Sequence, residues 1–186
     1  MEHRTSPLQP VRLAILVALS LLLTTGNGNP PDTSSPEWAR AEMERTAGRW
    51  IADNSAYRSE TEPFDAYGLE WTWTIGEKGL NGRLFGVING EEKGTFWEFR
   101  LFWHPGEERL MLYQFGGDGT VGVGSIAAMG DDGSETVQTF YPPDGASYRV
   151  GHRTAYRDGK RHDRSFAIDS EGNWTKQRTY VWKRPG

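Results

Sequence analysis

The side chains best placed to do chemistry are three histidines, two carboxylates set among aromatics, and arginines near the C-terminus. His104, His152 and His162 never fall two or four residues apart, so they form no local zinc motif, and no metal site is expected. His104 precedes Pro105-Gly106 and reads as a turn residue, and His162, between Arg161 and Asp163, reads as solvent-exposed. His152 alternates with Val150 and Thr154, which leaves three roles open: a buried hydrogen-bonded histidine, a ligand contact, or an axial ligand to haem. Glu70 and Glu98 suggest the paired carboxylates of glycoside hydrolysis, but both alternate against apolar stripes and so fall on an outer face, suited to charge pairing. Gly117-Asp-Gly-Thr-Val-Gly122 has the form of a dinucleotide fingerprint, yet the Gly-broken run behind it cannot supply the helix that would meet a pyrophosphate. No G-x-S-x-G elbow is present. No cofactor is therefore called for. Arg178 and Tyr180 read on one face with Trp174 and Trp182, and Arg164 on one with Phe166 and Ile168.

The elements that must hold these residues are strands. Leu69, Trp71, Trp73 and Ile75 alternate with polar residues, as do Trp97, Phe99, Leu101 and Trp103, and Tyr148 through Tyr156 follow the same period of two. Between the runs stand Asn89-Gly90, Asp118-Gly119, Asp132-Gly133, Asp144-Gly145, Asp158-Gly159 and Glu171-Gly172, the dipeptides that supply positive φ to tight hairpins. The last five are spaced by 14, 12, 14 and 13 residues, one long strand plus one turn each time. Strands are expected at 49–59, 66–76, 79–89, 94–104, 108–115, 119–128, 134–141, 146–157, 160–168 and 172–183. So long a meander avoids exposed edges by closing, which predicts an all-β, single antiparallel up-and-down barrel of about 8–10 strands. A short helix, with Ser35 as N-cap and Pro36 in its first turn, precedes it and ends at Gly48.

Composition limits the function. The chain has 186 residues with eight Trp, seven Tyr and eight Phe, all at or after Trp38, and no cysteine. Disulfide scaffolds, thiolate metal sites and cysteine nucleophiles are excluded. A net charge of −4 argues against a nucleic-acid partner. Arg4 and Arg12 precede an apolar run from Leu13 to Leu23, too short to span a bilayer and suited to a signal peptide. The expected organisation is a signal peptide over 1–28, a linker over 29–35 and a barrel over 36–186. That predicts an exported (periplasmic or secreted) protein, monomer or dimer, with no membrane span after cleavage.

Gly48-Arg49-Trp50, just after the helix, resembles the Gly-x-Trp that opens the first strand of lipocalins, whose last strand carries a basic residue packed across that Trp. Arg178 is placed for that role, and the resemblance implies that it closes the barrel over Trp50. The Thr-Asp-Tyr motif of lipocalins proper is absent, so the wider calycin group of lipocalin-like barrels is the better comparison. Arg-x-Tyr in the final strand also looks like the carboxylate clamp of intracellular fatty-acid-binding proteins, with Arg164 as the second arginine. The resemblance implies a barrel that binds a small lipophilic molecule, with an acidic or carbonyl end as the form its polar residues would suit. Trp71, Trp73, Trp97, Phe99 and Trp103 would form its wall, and His152, Arg164, Arg178 and Tyr180 its polar contacts. A lipocalin-like isomerase, cyclase or hydratase, and a filled barrel working through its outer surface, are the alternatives. Phe96 and Phe102 are expected on the outer wall.

Overall fold

Period-two patterning and glycine turns produce the elements expected of them. The computed structural model describes residues 34–186, so the expected signal peptide, 1–28, and most of the 29–35 linker lie outside the described residues. Helix α1 (Glu37–Thr46) is followed by β1 (Gly48–Asp53), β2 (Ala66–Trp73), β3 (Gly79–Ile88), β4 (Glu91–His104) and β5 (Arg109–Gly116). Then come β6 (Val121–Ala128), β7 (Gly133–Tyr141), β8 (Tyr148–Arg157), β9 (Lys160–Ile168) and β10 (Trp174–Trp182). Each strand pairs antiparallel with the next, giving one sheet in the order β1 to β10. The sheet curls round until Ile51 and Lys183 exchange backbone hydrogen bonds of 2.8 and 2.9 Å, an isolated bridge that nearly closes the barrel. The all-β meander barrel with one short helix is thus the observed architecture.

Asn89-Gly90 and Asp158-Gly159 both adopt positive φ at their two central residues, as type I′ hairpins require. At the β6–β7 turn it is Gly130, not Gly133, that takes the left-handed angle. Helix α1 starts after Pro36 without a side-chain cap, one residue later than Ser35 would set it. Its inner face, Ala39, Glu42, Met43 and Thr46, is buried, and Ala39 and Met43 join Leu80, Leu101 and Leu110 in one core cluster. The helix therefore plugs one end of the barrel. At the other end the segment between β1 and β2, expected to continue the first strand to residue 59, leaves the sheet at Asp53 and lies across the opening.

Trp50 is a buried anchor, 3% exposed, with its Nε1 donating to the Thr46 carbonyl at 2.9 Å. The cation over its ring is Arg184, 4.2 Å from the centroid, and not Arg178. Arg178 instead sits in the middle of β10, beside the β1–β2 segment. The cause is distance along the chain: residues 178 and 184 lie six residues apart, and only the latter, beyond the end of β10, reaches the helix-plugged end. The outer wall is also built around glycines. Phe85, fully buried, covers Gly68 and is sandwiched by Arg49 and Arg83, whose cations lie 4.7 and 4.5 Å from its ring. Trp174 covers Gly151 in the same way beneath Arg153. Glu70 serves this wall by accepting from Arg83 at 2.7 Å.

Candidate functional site

The barrel encloses a cavity of about 580 Å³. One half of its wall is apolar. Trp71 and Leu69 on β2, Phe96, Trp97, Phe99 and Leu101 on β4, Leu112 on β5 and Ile126 on β6 line it. Trp71 and Phe99 pack with centroids 5.0 Å apart, and Trp71 lies against Gly82, where a Cβ would come within 2.5 Å of its ring. The other half, from β7 to β10, is polar, with Ser134, Thr136, Gln138, His152, Thr154, Arg161, Asp163, Ser165, Arg178 and Tyr180 facing in.

The polar groups gather in two networks. Near the helix, Glu42, only 3% exposed, pairs with Arg45 at 3.1 Å and accepts from Ser134 at 3.0 Å and Tyr156 at 3.4 Å. Burial raises the Tyr156 phenol above its ordinary value, so it stays a neutral donor. Beside it, Asp163 pairs with Arg161 at 3.1 Å, accepts from Thr154 at 3.3 Å, and stands 3.5 Å from His152 Nδ1. Burial works against the Asp163 charge, but Arg161 and His152 outweigh it and hold the carboxyl well below its usual range. A carboxylate behind one ring nitrogen orients an imidazole.

The second network ties down the segment over the open end. Arg178 grips Glu62 with two parallel contacts, Nη1 to Oε1 at 2.6 Å and Nη2 to Oε2 at 2.8 Å. Tyr67 donates to Glu62 at 2.8 Å, and Arg178 donates to Tyr180, whose hydroxyl in turn donates to Asn54 at 2.9 Å. The Arg178 hydrogen bonds hold Glu62 below the ordinary carboxylate value, with burial opposing and Tyr67 adding to the effect. Burial and the Glu62 contact push the Tyr67 hydroxyl far above its ordinary value.

Six of the nine residues expected at the site meet at this cavity: Trp71, Trp97, Phe99, His152, Arg178 and Tyr180. Three do not. Trp73 lies outside it, under Arg40 at 4.6 Å, and Trp103 packs edge-on to Trp38 at 6.0 Å; both are taken up by the helix that plugs the barrel. Arg164 is exposed on the outer wall, because Arg161, Asp163 and Ser165 hold the inward register of β9. Trp174 also turns outward, since an irregularity between Lys176 and Thr179 flips the faces of β10 before Arg178. Phe96, expected outside, lines the cavity, because the β3–β4 register shifts between Leu84 and Phe85 and sets Phe96 between the paired Thr95 and Trp97. The two-arginine clamp is not assembled: Arg164 is outside and Arg178 is already held by Glu62. The sequence reading missed Glu42, Glu62 and Asp163, although Asp163 shares the period-two face of Arg161 and Ser165. Among the described residues, no group of three or more histidine or carboxylate side chains is arranged to hold a metal ion. No described helix is long and apolar enough to cross a membrane.

The fold and its cavity define a lipocalin-like antiparallel barrel with room for a small molecule. No family model matches the sequence, and neither does any curated protein. Among solved structures the chain is similar to the crystal structure of Rv2717c from M. tuberculosis, with a TM-score of 0.50 and 13% identity. The likeness covers 80% of this chain and 98% of that one, and it is a likeness of fold alone.

Proposed function

We propose that the barrel binds a small, lipophilic and uncharged molecule whose polar end is a carbonyl or similar group. The observation that carries this reading is the charge balance of the cavity. Its volume lies within the 300–1,000 Å³ typical of small-molecule sites, and half its wall is aromatic or aliphatic. Every carboxylate in it already has a cation: Glu42 has Arg45, Glu62 has Arg178 and Asp163 has Arg161. A ligand carboxylate would have to displace one of these partners and leave a protein charge unpaired, which is costly in a dry site. A carbonyl needs only a donor, and the polar half of the wall offers hydroxyls, an amide and an imidazole. The carbonyl end is therefore favoured over the acidic one.

The test is quenching of tryptophan fluorescence by a matched pair of probes, a long-chain methyl ketone and the fatty acid of equal length. The ketone is expected to bind at least as tightly at neutral pH. Tenfold tighter binding of the acid, a preference of about 1.4 kcal/mol, would overturn the reading.

A further inference from the structure

The outer surface carries a second concavity, separate from the cavity and opposite in character. It is a groove of about 280 Å³ at the helix-plugged end, lined by Arg45, Arg157, Lys160 and Arg184 over Trp50 and Tyr156. Several outer arginines are matched to carboxylates: Arg40 to Glu44 and Glu77, Arg83 to Glu70 and Glu92, Arg153 to Glu135. Here they are not. Arg157, Lys160 and Arg184 make no ion pair among the described residues, and Asp158 is the one acid lining the groove. Arg45 reaches back to Glu42, so that carboxylate is spent on the cavity side.

The cations are also held in place. The Arg184 guanidinium lies over Trp50, 4.2 Å from the ring centroid, and donates to the Arg45 carbonyl at 3.4 Å. Gly48 makes this seat possible: its φ is +101°, and a Cβ there would come within 2.5 Å of Arg184 Nη1. Arg45 lies over the Tyr156 ring at 5.3 Å. Arg157 and Lys160 flank the tight turn formed by Asp158 and Gly159, both at positive φ, which fixes the spacing of their backbones. With Arg45 paired to Glu42, the three unpaired cations outnumber Asp158 and leave the groove positive, which favours an anion, and guanidinium groups favour oxyanions with two-pronged contacts.

We propose that this groove is an anion site for a tetrahedral phosphate group. The shared chemistry is a phosphate oxyanion, carried either by a soluble phosphomonoester or by a lipid headgroup. The experiment is calorimetric titration of the full chain with inorganic phosphate and with glycerol phosphate, beside sedimentation with vesicles of phosphatidylglycerol or of phosphatidylcholine. The readout is compared for wild type, Arg184→Gln, Lys160→Gln and the outer-wall control Arg164→Gln. Either groove variant is expected to lose about tenfold in affinity, the loss of one charge-assisted contact, while Arg164→Gln stays within twofold of wild type. Saturable binding of glycerol phosphate assigns the soluble source. Binding to phosphatidylglycerol vesicles alone, lost in Arg184→Gln, assigns the headgroup. No binding in any arm, or equal loss in Arg164→Gln, overturns the proposal. Lys160→Gln alters an exposed hairpin residue, so it reads the site even if Arg184→Gln fails to fold.

Discussion

Replacing Asp163 by Asn is the most direct probe of the polar half of the cavity. The carboxylate is 12% exposed and its partner Arg161 14% exposed, so the pair lies in the regime where removing one member strands the other. Arg161 is poorly placed to tolerate this, because its Nε already has no partner. Breaking a buried pair costs about 3–5 kcal/mol. The nearby charge of Glu42, which also acts on Arg161, points to the lower end, about 3. For a domain of this size each kcal/mol is worth roughly 2–4 °C, so Asp163→Asn should melt about 6–12 °C below wild type. Adding Arg161→Met removes the stranded cation and should recover most of the loss. The sign with pH follows from the lowered Asp163 carboxyl: its contribution is fully present above the unfolded value near 3.9 and fades as pH falls through the still lower native value. The gap between wild type and variant should therefore hold at neutral pH and narrow only below about pH 4. Thermal unfolding followed by tryptophan fluorescence at pH 7 and pH 3.5 measures all of this. A single variant within 2 °C of wild type, or a double variant no more stable than the single, would refute the reasoning.

Two stability predictions test the packing. Trp50→Ala empties the seat between Thr46 and Arg184 and is expected to cost about 3–5 kcal/mol in urea unfolding, with an unchanged midpoint as the contrary result. Gly151→Val drives a side chain into the Trp174 ring on the outer wall and should cost about 1–3 kcal/mol, which equal melting temperatures would contradict.

The strands were legible because their turns are chemically explicit. Asn89-Gly90 and Asp158-Gly159 dictate backbone angles that leave little choice of where a hairpin forms. The apolar half of the cavity was legible for a related reason, since Trp71 and Phe99 stand in strands whose two faces differ sharply in polarity. The polar half was not. In β9 the run from Arg161 to Ser165 is polar on both faces, so alternation alone does not say which face is inside, and Phe166, which suggests an inner face, in fact packs outside against Trp174. Register irregularities in β4 and β10 each shift side chains to the other face, and nothing in local composition marks them. Glu62 lies in a segment whose apolar and polar residues follow no period, and its role depends on Arg178, far away in the chain.

The closure of the barrel has a consequence for how the chain assembles. Nine of its neighbouring strand pairs join segments adjacent in sequence, so each hairpin can form on its predecessor like the teeth of a zipper, with little entropy lost at each step. The bridge between Ile51 and Lys183 is the backbone ladder contact that unites the two extremes of the described domain, and side-chain contacts such as Glu62 with Arg178 and Asn54 with Tyr180 flank it. The cost of gathering distant chain is thus concentrated in one seam, held by two backbone hydrogen bonds and the side-chain contacts of Glu62 and Asn54 with β10. Until that seam forms, the aromatic wall carried by β2 to β6 faces water, and the pocket exists only as an open trough. The interior becomes an enclosed cavity at the last step of folding, and that seam is where few backbone hydrogen bonds join the two edges of the wall.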